Sequence, residues 1–261
     1  MNARIKKKLF ILVGVLTVIG LAVVGAYFVR GALIAQRMDS SLRDGMAAYK
    51  AGDYQSTLRH LGYYAGKDQG RGDVMLAIAD ALRNVPLENR RHISRAIPYA
   101  KAASELMPKE PAPLEMLMAL YEEAGFITER LAVSDRLLTL VPSHREARTS
   151  RAVCLARIGK AAEALVIAEQ LAAEAPQDVD AHGGVIELMN QMGRPPGEVR
   201  TFIDRAVEQA PNDARFRLLQ SQVYAMSGDA KVAAAHLTVA ASLPISEAST
   251  VRDVLRLLDV L

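Results

Sequence analysis

Five histidines and one cysteine are the residues of this 261-residue chain best suited to metal binding or nucleophilic attack. His60, His92, His144, His182 and His236 lie far apart and never at ligand spacing, and no HExxH, CxxC or EF-hand loop occurs. Cys154 is alone, so it forms no intrachain disulfide and cannot anchor a cysteine zinc site. It falls among alanines and leucines on a predicted helix, where a thiol is buried and inert. Gly66-Lys67 lacks the spacing and the Ser or Thr of a phosphate loop and reads as a solvated turn. Arg71-Gly72-Asp73 spells an adhesion tripeptide, a three-residue match that recurs by chance. No GxSxG nucleophile motif is present, and the carboxylates fall on helix surfaces where solvation accounts for them. Neither an enzymatic activity nor a cofactor is expected.

The elements that would position any site begin with a membrane-type segment. Residues 9–29 form a 21-residue stretch, LFILVGVLTVIGLAVVGAYFV, without a charge. As a helix it would be ~32 Å long, enough for a hydrocarbon core of ~30 Å, with Tyr27 near the far interface. It is longer than the ~7–15 apolar residues of a secretory signal, and only Val24-Gly25-Ala26 resembles a cleavage site. The flank 1–8 carries Arg4, Lys6, Lys7 and Lys8, whereas Arg30, Arg37 and Arg43 are spread out beyond the run. The positive-inside rule then puts the N-terminus in the cytoplasm and the rest outside it, on the periplasmic side of the inner membrane in a bacterium. The net charge of +3 belongs to this region. Residues 1–30 hold five of the 32 basic groups and no acid, leaving 27 basic against 29 acidic groups in the remainder. No basic face for nucleic acid is left. Residues 30–41 are expected to be a juxtamembrane helix or linker.

Beyond it the chain is periodic. Pro108, Pro142, Pro176, Pro211 and Pro244 are separated by 34, 34, 35 and 33 residues. Gly125, Gly159, Gly193 and Gly228 keep the same step, as do Tyr121, Leu155, Met189 and Tyr224. Three series in phase mark a repeat architecture. Each interval predicts two helices and two turns, most clearly 145–159 followed by 160–175 and Pro176-Gln177-Asp178. Glycine ends the first helix in a left-handed conformation and proline stops the second. Ala152 and Ala164 are small where helix axes approach, and Leu155 and Leu171 fill the space between them.

With a small residue in the first helix, a glycine before the second, an alanine near its start and a terminal proline, the chain resembles the tetratricopeptide repeat family. The unit RLAVSDRLLTLVPSHREARTSRAVCLARIGKAAEALVIAEQLAAEAP carries the pattern best. The resemblance covers 42–244 and implies an all-α chain: one transmembrane helix, then an α-solenoid of five to six hairpins. The match loosens toward the ends. The first unit, GMAAYKAGDYQSTL, runs into the loop 66–73. The second has about five extra residues around 84–92, with Ser94 as the expected N-cap and Pro98 in the first helical turn. The fifth carries one extra residue at 193–198.

The resemblance also implies a concave groove lined by first helices. Projection of the ladder onto that face brings up Asp73, Asp80, Glu115, Glu122, Glu146, Asp180 and Glu187, opposed by Arg83, Arg157 and Arg215, with Asn190 and Gln222 as neutral groups. Seven acids against three bases favour a basic or neutral extended segment of another protein, with a helical segment as the alternative occupant. The family's carboxylate clamp needs a base and an amide where Glu115 and Ala119 stand, so a clamp is not expected. Residues 245–261 are expected to form a capping helix with Val251, Val254, Leu255, Leu258 and Leu261 on one stripe. That stripe suits burial on the last hairpin, a docking face, or a natural chain continuing past Leu261. The implied function is a membrane-anchored scaffold for proteins in envelope, secretion or cytochrome-maturation assembly. The alternative is a subunit that recruits a separate enzyme through the last helix.

Overall fold

The computed structural model describes residues 3–244, the side chains of 3–20, 22 and 23 excepted. Among the described residues there are twelve α-helices, one short 3-10 turn and no strand. The capping helix expected at 245–261, with its apolar stripe, lies outside them.

The helices fall into two compact units, Met1–Leu120 and Tyr121–Leu261. In the first, α1 (Ala3–Lys50) is a single 48-residue helix that passes without a break through the boundaries expected near 29 and 41. Most of the 9–29 run has side chains outside the described residues, and among the described residues no helix is long and apolar enough to cross a membrane. The end of α1 packs against α2 (Tyr54–Ala65), and α2 against α3 (Gly72–Asn84), which pairs with α4 (Arg91–Leu106). Leu61, Val74, Met75, Ile78 and Ala96, each at most 2% exposed, form its interior.

The extra residues expected between α3 and α4 are present, but α4 begins earlier than expected. Asn89 and Arg90 both adopt a φ of 55°, and the helix opens directly after them at Arg91. Ser94 is therefore inside the helix, where its hydroxyl donates to the Arg91 carbonyl at 2.9 Å instead of capping an amide. Pro98 sits in the helix interior. Its ring displaces one main-chain bond on an exposed face, where water can take the freed carbonyl.

α5 (Ala112–Ala124) runs across the division at Leu120. The second unit continues with α6 (Ile127–Leu140), α7 (Arg145–Arg157), α8 (Ala161–Glu174), α9 (Val179–Gln191), α10 (Pro196–Gln209), α11 (Ala214–Met226) and α12 (Ala230–Ser242). From α6 onward each helix packs on the next. The expected turn glycines Gly125, Gly159, Gly193 and Gly228 have φ of +76°, +84°, +65° and +81°, a region a side chain would strain. Aspartates follow these turns and the prolines for a local reason. Asp178 accepts from the Ala181 amide, Asp213 from Arg215 and Asp229 from Val232. Each cap satisfies an amide that the first helical turn leaves unpaired, worth ~1 kcal/mol. Ala152, Ala164, Leu155 and Leu171 are buried as expected, in a core shared with Val185, Ile203 and Phe216.

Candidate functional site

In the first unit the predicted groove residues are drawn into local structure. Asp73 accepts a two-pronged bond from Arg71, at 3.0 and 2.5 Å, and the Val74 amide at 3.0 Å. That guanidinium holds the Asp73 carboxyl below its usual range. Gly72 is buried between them, and Arg71 and Asp73 close on each other as an ion pair. Asp80 accepts from the Tyr49 hydroxyl and the Asn84 amide, both at 3.0 Å, and so ties α3 to α1. Arg83 and Glu115 are half-buried.

Tyr49 offers a pH test of that tie. Burial first, and then its bond to Asp80, push the phenol from 10.0 up to about 12. In the unfolded chain it ionises near the lower value, so its stabilisation is complete below that pH and is lost as pH rises through the folded value. The fall in stability across that window is expected to be smaller in Tyr49→Phe, measured by denaturant unfolding at a series of alkaline pH values. Identical profiles for the two proteins would contradict the Tyr49–Asp80 bond.

In the second unit, three of the predicted residues come together. Arg157, Asp180 and Glu187 line a cleft of about 580 Å³ between α7 and α9, floored by Ala152, Ala168 and Leu171. The sequence projection missed the rest of its wall. Arg145, Thr149, Val153 and Ala156 follow one face of α7 at helical spacing, and Asp180, Gly184, Glu187 and Gln191 follow the facing side of α9. Their signal was a stride of three or four residues starting at the cap, which projection by single ladder positions did not register. Arg145 pairs with the capping Asp178 across the N-terminal end of the cleft. Gln191 donates to the Ala156 carbonyl at 3.3 Å across the other end. With Arg145 and Asp178 cancelling, the rim keeps Arg157 and two exposed carboxylates, Asp180 and Glu187, neither of which makes an ion pair among the described residues.

The other predicted residues lie elsewhere. Glu122 pairs with Arg130 at 3.0 Å, and Arg130 continues to the buried Ser150 hydroxyl at 2.7 Å, so this acid belongs to a packing node. Glu146 is exposed in the first turn of α7, beside the cleft residue Arg145. Asn190 is exposed next to Gln191, which occupies the lining position. Arg215 forks onto Asp213 at 3.2 and 2.8 Å, and Gln222 is half-buried on α11. Cys154 is 1% exposed, and burial pushes its thiol up, away from the reactive thiolate. Among the described residues no set of three histidine, cysteine or carboxylate side chains converges to hold a metal ion.

The tetratricopeptide repeat family model matches residues 155–223, which include the α9 wall of the cleft. No curated protein matches the chain by sequence. Among solved structures, the MamA protein superposes with a TM-score of 0.59 at 14% identity, covering 69% of this chain and 96% of that one. MamA from Desulfovibrio magneticus RS-1, residues 41 to the end, gives 0.53 at 21% identity over 67% of this chain and 95% of that one. YrrB, described as a TPR protein with an unusual peptide-binding site, gives 0.51 at 14% identity over 74% and 96%. Identities this low speak for the fold alone. Among the described residues the chain thus shares an all-α, tetratricopeptide-type helical-repeat fold, and the family's own sequence pattern is matched over residues 155–223.

Proposed function

We propose that this chain is a membrane-anchored tetratricopeptide scaffold that holds other proteins in the cleft between α7 and α9. The cleft carries the reading. It is open, it has an apolar floor, and its charged rim retains two carboxylates without an ion pair among the described residues. Such a surface suits an extended basic segment, whose charges speed and orient docking more than they tighten it. YrrB, with the same type of fold, is described as having a peptide-binding site, in keeping with this use of the architecture.

The anchor rests on the charge-free run 9–29 and on its visible end. Leu21, Val24, Tyr27, Phe28 and Val29 are each more than half exposed on α1, so among the described residues nothing covers the apolar end of the run. Lipid would supply it. The basic N-terminal flank then lies in the cytoplasm and the repeats on the other side of the membrane, where they support assembly of envelope machinery.

Photo-crosslinking from within the native membrane tests both parts. A crosslinker at Val153, in the cleft, is expected to capture a discrete partner, while one at Val166, exposed on α8 away from it, is not. Capture from Val166 and not from Val153 would move the binding face elsewhere. Asp180→Lys with Glu187→Lys is expected to weaken the captured partner about tenfold, from two exposed charge contacts of ~0.2–1 kcal/mol each plus the repulsion introduced. The effect should shrink as salt is added.

A further inference from the structure

The connection between α3 and α4 carries residues that the repeat does not need, and they stand in the open. Residues 86–91 are exposed without interruption. Asn89 and Arg90 both hold a φ of 55°, a conformation that costs an arginine more than an asparagine. The main-chain ties are local. The Leu87 amide donates to His92 Nδ1 at 3.1 Å, and the Arg91 amide donates to the Glu88 carbonyl. Val85 and Leu87 are already extended. Opening the loop therefore gives up bonds at the surface and lets Arg90 relax into the extended backbone that an endoprotease binds. Arg90 and Arg91 place two adjacent cations at that point.

No other described connection combines these properties. Lys67, Arg71, Lys109, Lys160 and Arg194 are the other basic residues outside the described α-helices. After Lys67, the Asp68 amide donates to the Tyr64 carbonyl at 2.9 Å, and the Asp68 carboxylate is held by the Tyr64 hydroxyl and the Gly70 amide. The Arg71 guanidinium is bound by Asp73, and the Gly72 that follows is packed on Met107. Lys109 is followed by Glu110 and Pro111. Lys160 pairs with Glu163 at 3.1 Å, and its amide donates to the Leu155 carbonyl at 2.9 Å. Arg194 precedes Pro195, which makes the bond between them a tertiary amide that such enzymes cut poorly.

We propose that the Arg90-Arg91 pair is a processing site for an endoprotease whose specificity pocket is acidic. Water adds across the amide that follows an arginine of the pair, leaving a carboxylate on that arginine and an ammonium on the next residue. The cut stays local, because Ile93, Ala96, Ile97 and Ala100 are buried along α4, which packs on α3. It severs the covalent link between α1–α3 and the helices after them, and it is independent of the cleft between α7 and α9.

Trypsin is the probe, added at low ratio to the folded full chain, with the fragments identified by mass spectrometry. Within residues 30–244 the first cut is expected after Arg90 or Arg91. Arg90→Gln with Arg91→Gln should slow the first cut in that range about tenfold or more, since the remaining sites wait on rarer openings. Subtilisin, which needs no basic residue, should cut first inside 86–91 in both chains and at the same rate, showing that the substituted loop still opens. A first tryptic cut at Lys67, Lys109 or Lys160 would overturn the assignment, as would a substituted chain that trypsin cuts as fast as before. Subtilisin cutting first outside 86–91 in the unsubstituted chain would show that the loop does not open, and would overturn it too.

Discussion

Replacing Phe216 by alanine is expected to destabilise the second unit by ~3–5 kcal/mol, the usual cost of emptying an aromatic core site. Phe216 is 0% exposed, and the core around it includes Val185 of α9 and Ile203 of α10. The buried His182 ring stands nearly perpendicular to the Phe216 ring with centroids 5.1 Å apart, and its centroid is 5.7 Å from that of Phe202, while Nδ1 is 2.9 Å from the Asp178 carbonyl. Truncation therefore removes the main support of a histidine that is also held at the start of its helix, leaving it little freedom to fill the void. Because each repeat is stabilised largely by its neighbours, the loss should appear as a separate, lower transition confined to α9–α12. Thermal unfolding followed by hydrogen exchange would show it. A loss below ~1 kcal/mol would mean that Phe202 and His182 collapse into the space and that this core is less tightly specified than its burial implies.

The second large effect is one of sign. Alanine is a better helix former than glycine by ~1 kcal/mol, so Gly45→Ala on α1 ought to stabilise if propensity ruled. The structure reverses that expectation. The new methyl would lie 2.7 Å from Leu61 Cγ and 3.1 Å from His60 Cβ, closer still to a Leu61 methyl, and Leu61 is 0% exposed with nowhere to swing. A net destabilisation of ~1–3 kcal/mol is expected from overpacking of the α1–α2 contact. Unfolding of the full chain, followed by circular dichroism, measures it. A rise in stability would show that α1 and α2 are not packed at Gly45. Gly184, inside α9, gives the opposite sign: a Cβ there would meet nothing within 4 Å, so Gly184→Ala is expected to stabilise.

The repeat architecture was legible because its diagnostic residues act locally. A glycine at +84° after α7 and an aspartate capping α9 through the Ala181 amide are decided within a few residues of chain, so their spacing registers directly in the sequence. The same locality misled at Ser94. A serine ahead of an apolar stretch looks like a cap, but the preceding left-handed pair Asn89-Arg90 had already set the helix start at Arg91. Asparagine tolerates the left-handed region, but no propensity rule anticipates an arginine following it there.

The groove was legible only in part, because side-chain charge on a helix face does not reveal its partner. Seven acids looked equivalent when projected. In the folded chain Asp73 is held by Arg71, Asp80 by Tyr49 and Glu122 by Arg130, and these serve the scaffold. Asp180 and Glu187 remain on an open cleft. Which carboxylates are taken up depends on which neighbours tertiary packing delivers, and packing joins residues distant in sequence, such as Asp80 and Tyr49, 31 positions apart.

The sequence by itself therefore determined the periodic helical hairpins, their turn glycines and caps, and the charge-free run at residues 9–29, since each depends on contacts within a few residues or on composition alone. The tertiary structure alone decided that Asp80 is taken up by Tyr49 of α1, that Glu122 is taken up by Arg130 of α6, and that Asp180 and Glu187 are left on an open cleft. Those outcomes turn on how one helix surface meets another, a property of packing that no local pattern records.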